Sequence, residues 1–193
     1  MNLSDAFEMA EARTRDLLPV HSSVDIPGFV TFVLLDGDGA RVKAVRWTTN
    51  LLTDYGDQYY AAKAITSISP ANASAPTAVN GMRLGTSSTA AAKSGTGATI
   101  GTVITSSGVP FDTGFPDVVA VGTNLGYYAR YQSTWAAGVA TSTTINEVAL
   151  ITDYTNTGNS TAANTYARAV VSTLNKSASD ILIGLWRHKL VGI

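Results

Sequence analysis

The stretch that decides the fold is GYYARYQSTWA at residues 126–136. Its side chains alternate with a period of two, which is typical of a β-strand that turns one face toward a core. One face takes Tyr127, Ala129, Tyr131, Ser133 and Trp135, and the other takes the polar residues between them. This pattern predicts a β-strand over residues 126–136.

Three more strands are predicted downstream, at residues 145–153, 165–174 and 180–191. Turn-rich segments of small polar residues separate them, at intervals typical of a sandwich or barrel. Apolar residues occupy both faces near the start of the last strand: Ile181, Ile183 and Leu185 on one, Leu182 and Trp186 on the other. Such two-sided burial indicates either a subunit contact or cover by the N-terminal segment.

A hairpin is predicted upstream, where residues 28–35 and 40–49 are joined by Asp36-Gly37-Asp38-Gly39. The DGDG sequence is interpreted as a tight turn, because the alternate ligands and the terminal acid of a calcium loop are missing. Between residues 66 and 114 the chain is rich in Ser, Thr, Ala and Gly, and two strands are predicted there, at 82–86 and 98–105. The glycines of GTGATIG at 95–101 are interpreted as turn residues, not as a phosphate-binding loop.

The composition favours the same fold class. Of 193 residues only 14% are charged, 42 are Ser or Thr, and there are three Glu and two Gln, which is unfavourable for a helix-rich protein. We therefore predict an all-β, jelly-roll-like β-sandwich at residues 26–193, preceded by a helical arm at residues 1–25. Ser4 caps a predicted helix at 4–17, which either packs on its own domain or docks on a neighbouring subunit.

Charge and cysteine content exclude several functions. Thirteen basic and fourteen acidic residues leave a net charge of −1, without a basic block for nucleic acid. The chain has no cysteine, so disulfides, thiolate metal sites and a cysteine nucleophile are excluded. The N-terminus lacks the pattern of a secretory signal, and no apolar run approaches the roughly 20 residues of a membrane span. We expect synthesis in a cytoplasm and no membrane partner.

No catalytic residue, cofactor or metal site is predicted. His21 and His188 have no partner at metal-ligand spacing, and His188, between a basic residue on either side, is expected at the surface. No GxSxG motif occurs. The acids Asp112, Asp117 and Asp153 could join Glu147 in a carboxylate pair, but any β-protein supplies such a set.

Glu147 shares a strand face with Ile145, Ala149 and Ile151, so burial and a basic partner are expected. Arg130 or Arg168 could form that salt bridge across strands. The alternative is an acid catalyst.

Aromatic residues at Tyr127, Tyr128, Tyr131 and Trp135 could form a sugar-binding platform. Packing in a core or interface is the more common role of such a group. An enzyme is not expected.

Three motifs in order carry a resemblance to a known family: GMRLGTSSTAAAK (81–93), YQSTWAAGVATSTTINEVALIT (131–152) and YARAVVSTLNKSASDILIGLW (166–186). Together they resemble a family of tailed-bacteriophage virion proteins. The family pattern has an LGTG segment, a strand ending in W-x-x-G-x-A, an I-x-E-x-x-L strand and an ARA strand. The match covers roughly residues 80–187, and Ser87 replaces the second glycine of LGTG.

The resemblance implies a jelly-roll-like capsid decoration or cement protein. It would be a homotrimer or homodimer on the capsid surface of the virion, bound across junctions of the major capsid protein. The alternatives are a tail or fibre component that binds host glycan and, in a different class, a phage-encoded hydrolase. Interaction residues would be Phe7 and Leu17 in the arm. Trp135, Trp186 and Trp47 would be packing anchors, expected in the core and not in a contact with a partner.

Overall fold

The computed structural model describes Asp5 and residues 28–64, 77–120, 126–156, 161 and 164–190. Apart from Asp5, the predicted arm at 1–25 and its helix at 4–17 lie outside the described residues, as do Phe7, Leu17 and His21. The elements are β1 (Gly28–Leu35), β2 (Val42–Leu52), α1 (Asp54–Ala64), β3 (Gly81–Gly85), β4 (Val109–Pro110), β5 (Asp117–Ala120), β6 (Tyr127–Trp135), β7 (Ser142–Ile151), β8 (Thr165–Lys176) and β9 (Ile181–Leu190).

The strands form one curled antiparallel sheet in the order β4-β3-β7-β8-β2-β1-β9-β6-β5. β2 joins its two halves, because it pairs with β1 along most of its length but with β8 only at Leu51 and Leu52. At one end, the segment around β4 folds against β6: Ser133 donates to the Pro110 carbonyl, and the Asp112 amide donates to the Gln132 carbonyl (both 2.9 Å). The predicted all-β class is confirmed, while the jelly-roll connectivity stays a prediction.

One apolar core fills the space between the halves and includes Trp135 and Trp186, both fully buried. The ring of Phe32 on β1 lies 6.1 Å from that of Trp135 on β6, with β9 between their strands. Gly184 on β9 makes this approach possible, since a Cβ there would lie 3.0 Å from both rings. The Trp135 indole also donates to the Ser107 carbonyl at 2.7 Å, which ties β6 to the opposite half.

Burial on both faces, as predicted for the last strand, is confirmed in β9. Leu182 and Trp186 belong to the core, whereas Ile183 packs on the opposite side with Val33 and Leu35 of β1. All eight residues of β1 are buried. The centre of this half of the sheet is therefore apolar on both sides.

The strand predicted at 98–105 is wrong. Residues Gly95–Ala98 form a short 3-10 turn, and Val103 makes a single isolated bridge to Gly85. Ile100 and Val103 instead pack against Ala149 on the outer face of β7. The apolar residues of this segment cover β7. A segment that covers a strand is as apolar as a strand, so composition alone does not separate the two.

Helix α1 was not predicted. Thr53 precedes it and accepts a hydrogen bond from the Gly56 amide at 3.1 Å, as an N-cap residue does. Acidic residues lie in the first turn and Lys63 in the last, as the helix dipole favours. Its tyrosines pack on the fully buried Tyr166 of β8, with the Tyr59 and Tyr166 ring centroids 4.5 Å apart.

We predict that Trp135→Phe lowers the free energy of unfolding by about 2–3 kcal/mol. The substitution leaves a cavity and removes the donor to the buried Ser107 carbonyl. Urea unfolding followed by circular dichroism measures the change. Tyr127→Phe is the matched control, because Tyr127 lies on the same face of β6 but is 56% exposed; an equal effect of both variants would contradict the prediction.

Candidate functional site

Glu147 is fully buried, and its carboxylate accepts five hydrogen bonds. Oε1 accepts from the amides of Ser87 (2.9 Å) and Thr102 (3.1 Å). Oε2 accepts from the amide of Gly101 (3.1 Å) and from Nε and Nη2 of Arg168 (2.9 and 2.7 Å). The predicted salt bridge is confirmed, with Arg168 as the partner.

The pairing of β7 with β3 and β8 brings the residues of this cluster together. Glu147 on β7 lies between Gly85 on β3 and Val170 on β8. A Cβ on Gly85 would collide with the Glu147 carboxylate, so glycine is required there. Arg168 also donates to the Gly97 carbonyl at 3.1 Å, which anchors the GTGATIG turn. A charged side chain of β7 thus fixes a long surface segment through its backbone amides.

The other acids predicted as candidates each have a local partner. Asp112 accepts from Gln132 and Thr134, and Asp117 forms a two-point ion pair with Arg130. Asp153 accepts from the hydroxyl of Thr155. Asp36 accepts from the amides of residues 40 and 41, which confirms the DGDG segment as a turn. Within the described ranges, no three His, Asp or Glu side chains come together as metal ligands.

His188 is fully buried, and its predicted surface position is wrong. Its Nε2 lies 2.9 Å from both the Trp186 indole nitrogen and the Asn50 side-chain nitrogen. The indole can only donate, so Nε2 accepts and Nδ1 carries the proton. Nδ1 then donates to Tyr60 Oη at 2.7 Å, and a hydrogen bond of 2.9 Å joins Tyr60 Oη to Tyr131 Oη.

Burial lowers the pKa of His188 from 6.5 to about 3, so the ring is neutral. Burial also raises the pKa values of Tyr60 and Tyr131. The network ties α1 to the sheet. The basic neighbours of His188 in sequence indicated exposure, but Arg187 is itself buried. Tyr60 of α1 covers His188 on its own face of β9.

Gly28 makes the network possible. It pairs with Asn50 on one side and with His188 on the other. A Cβ at Gly28 would collide with the Asn50 side chain and would meet the His188 ring at 2.6 Å. Asn50 and Tyr60 are not among the residues predicted from the sequence. Thr53, followed by the acids Asp54 and Asp57, is the sequence signal for the helix that carries Tyr60.

The aromatic residues of β6 do not form an exposed platform. Trp135 and Tyr131 are buried, which confirms the packing interpretation for both. Trp186 is likewise a core residue. The prediction of a core position is wrong for Trp47, which is 37% exposed on the outer side of β2. Tyr127 is the most exposed aromatic residue of β6, at 56%.

A half-open cavity of about 180 Å³ lies beside β3 and is lined by Arg83, Val103, Ile104, Ser106, Ser107, Gly108, Tyr154, Thr155 and Asn156. Arg83 is buried at its base, and its Nη2 donates to the carbonyls of Asp153 and Asn156. Burial lowers the pKa of Arg83, and the nearby Asp153 opposes that shift. The guanidinium therefore braces the turn after β7, and the cavity is smaller than the 300–1,000 Å³ usual for ligand sites.

Comparison of the chain with models of known protein families, with curated proteins and with solved structures finds no match. In the part of the chain that the structure describes, no helix has the length and apolarity to cross a membrane.

We predict that Glu147→Gln lowers the free energy of unfolding by about 3–5 kcal/mol, because it leaves the buried charge of Arg168 without a counter-charge. Urea titration measures the loss. Asp57→Asn is the control: it breaks the ion pair of Asp57 with Lys93, in which both side chains are 43% exposed, and costs less than about 1 kcal/mol. Equal losses in the two variants would refute this account.

Stability also depends on pH through His188. In the unfolded chain His188 takes up a proton as the pH falls below 6.5, whereas in the folded protein its buried ring takes up a proton only near pH 3. Stability therefore falls as the pH falls through this window, with a limiting slope of about 1.4 kcal/mol per pH unit from this group. Carboxylates titrate in every variant, so the measurement is the difference between wild type and His188→Gln. Parallel stability curves for the two proteins would contradict the prediction.

Proposed function

We propose that this chain is a virion structural protein of the capsid decoration or cement type, binding as a homo-oligomer across junctions of the major capsid protein. The observation that carries the proposal is that residues from three motifs of the phage-protein resemblance meet in one cluster. Ser87 comes from the first motif, Glu147 from the second and Arg168 from the third. The three motifs that carry the resemblance thus build one contact and belong to a single structural unit.

The serine that departs from the family pattern fits this cluster. Ser87 contributes its backbone amide to Glu147, and any residue can supply that donor. Its hydroxyl also accepts from the Thr89 amide at 3.2 Å. Ser87 is not among the described residues with positive φ, so glycine is not required at this position. The departure therefore does not count against the proposal.

The segment after β3 is held in one conformation by hydrogen bonds, as suits a protein that coats a capsid. The Ser- and Thr-rich segment after β3 is held through its amides by Glu147 and through Gly97 by Arg168. A surface ordered before binding loses little conformational entropy on a partner, so modest contacts suffice. Many copies on one shell then add their contacts through multivalency.

Antibody labelling of intact particles by electron microscopy tests the location. Particles are purified from the culture that carries the gene, and a preimmune serum is the control. Label spread over the head supports decoration. Label confined to the tail favours the attachment alternative, and the absence of label on any particle overturns a virion role.

We predict that deleting residues 1–20 abolishes binding to capsids while the β-sandwich stays folded, because the arm with Phe7 and Leu17 would supply the main contact. Co-sedimentation with capsids measures occupancy, and far-ultraviolet circular dichroism checks the fold. The double variant Phe7→Ala and Leu17→Ala should reproduce the loss at full length. Unchanged occupancy of the truncated protein would refute the role of the arm.

A further inference from the structure

The two strands at the ends of the sheet, β4 and β5, differ in whether their outer edges are covered. β4 lies against β6, since Ser133 of β6 donates to the Pro110 carbonyl of β4. β5, at the other end of the order, pairs with β6 on one side and has no strand of the described residues on the other. An edge of this kind presents unpaired backbone donors and acceptors.

The same edge carries exposed apolar side chains. Val118 of β5 is 65% exposed and Tyr127 of β6 is 56% exposed, two of the three large hydrophobic residues that are exposed among the described ones. Val118 pairs with Ala129, and Ala120 pairs with Tyr127. Paired residues of antiparallel strands point to the same face, so Val118, Ala120 and Tyr127 share one side of the sheet.

We propose that two copies of this chain associate by antiparallel pairing of their β5 strands. A twofold axis perpendicular to the sheet and midway between the Val119 residues of the two copies places Val118 opposite Ala120 of the second copy. On the shared face, Tyr127, Ala120 and Val118 of the second copy then form a continuous apolar row. The edge is self-complementary, as a twofold interface requires.

Charge favours a second copy as the occupant. Asp117, the one charged residue of β5, is already paired with Arg130 of its own chain. In the twofold arrangement these ion pairs lie at opposite ends of the ladder. The net charge of −1 offers little repulsion between copies. By contrast, the part of β2 that leaves the β8 ladder carries Lys43 and Arg46, and such charges oppose the addition of a strand.

The association is expected to be weak in solution. The four residues of β5 are few beside the roughly 20–30 residues that each partner contributes to a standard interface. This inference rests on the proposed function only for its biological purpose, because an array of copies would strengthen weak pairing. Pure protein shows the association whether or not capsids bind.

Sedimentation equilibrium of the full chain, over concentrations up to about 1 mM, tests the proposal. The weight-average mass of the wild type should rise with concentration from 20.1 kDa toward twice that value. Val118→Lys should weaken association at least tenfold, because it would place one lysine in each of the two symmetry-related apolar rows. Val118→Thr should retain association, since threonine suits a strand and carries no charge.

Thr49→Lys is the matched control, because it adds the same charge at an exposed position of β2. It should leave association unchanged. A wild type that stays monomeric at the highest concentration overturns the proposal. So does a Val118→Lys protein that dimerises as well as the wild type, or a Thr49→Lys protein that dissociates equally. Loss of capsid binding with intact dimerisation would reject the proposed function alone.

Discussion

The buried ion pair between Glu147 and Arg168 is the contact on which the β3, β7 and β8 half of the structure depends. Moving a carboxylate and a guanidinium out of water costs several kcal/mol per ion, and their attraction offsets this only when the remaining hydrogen-bonding groups are satisfied. Here three backbone amides and the Gly97 carbonyl complete the set. The dependence is mutual. The ion pair needs the amides and the carbonyl of the segment after β3 as hydrogen-bond partners, and that segment is held in place by the ion pair.

A second polar cluster has the same role in the other half. His188, Asn50 and Tyr60 connect β9, β2 and α1 by directional bonds, where apolar side chains would tolerate several registers. Gly28 pairs with Asn50 and His188 and has no side chain to separate them. Both clusters therefore combine a buried polar group with a glycine that admits it, and both specify one arrangement of neighbouring strands.

Strand periodicity predicted most of the sheet, because alternation is a local property of the chain. Strand β6 and the salt bridge of Glu147 were accessible in this way, and the DGDG turn residues indicated the hairpin of β1 and β2. Helix α1 was not, since its tyrosines have low helix propensity and Gly56 lies in its first turn; packing on Tyr166 outweighs both. The burial of His188 follows from α1, so the two errors have one cause. Residues 98–105 were misassigned because an apolar segment that covers a strand resembles a strand in composition.

The alternation of GYYARYQSTWA also explains where the molecule can bind. Trp135 is buried and donates to the Ser107 carbonyl in the facing half of the curled sheet. Tyr131 is buried against Phe111 and Tyr60 of α1. Tyr127 lies on the same face but at the far end of β6, where β5 is the neighbour and the face is open. Periodicity decides which way a side chain points, whereas the extent of the facing half decides whether it meets a core. An apolar face that continues past its core retains hydrophobic surface that a partner can bury.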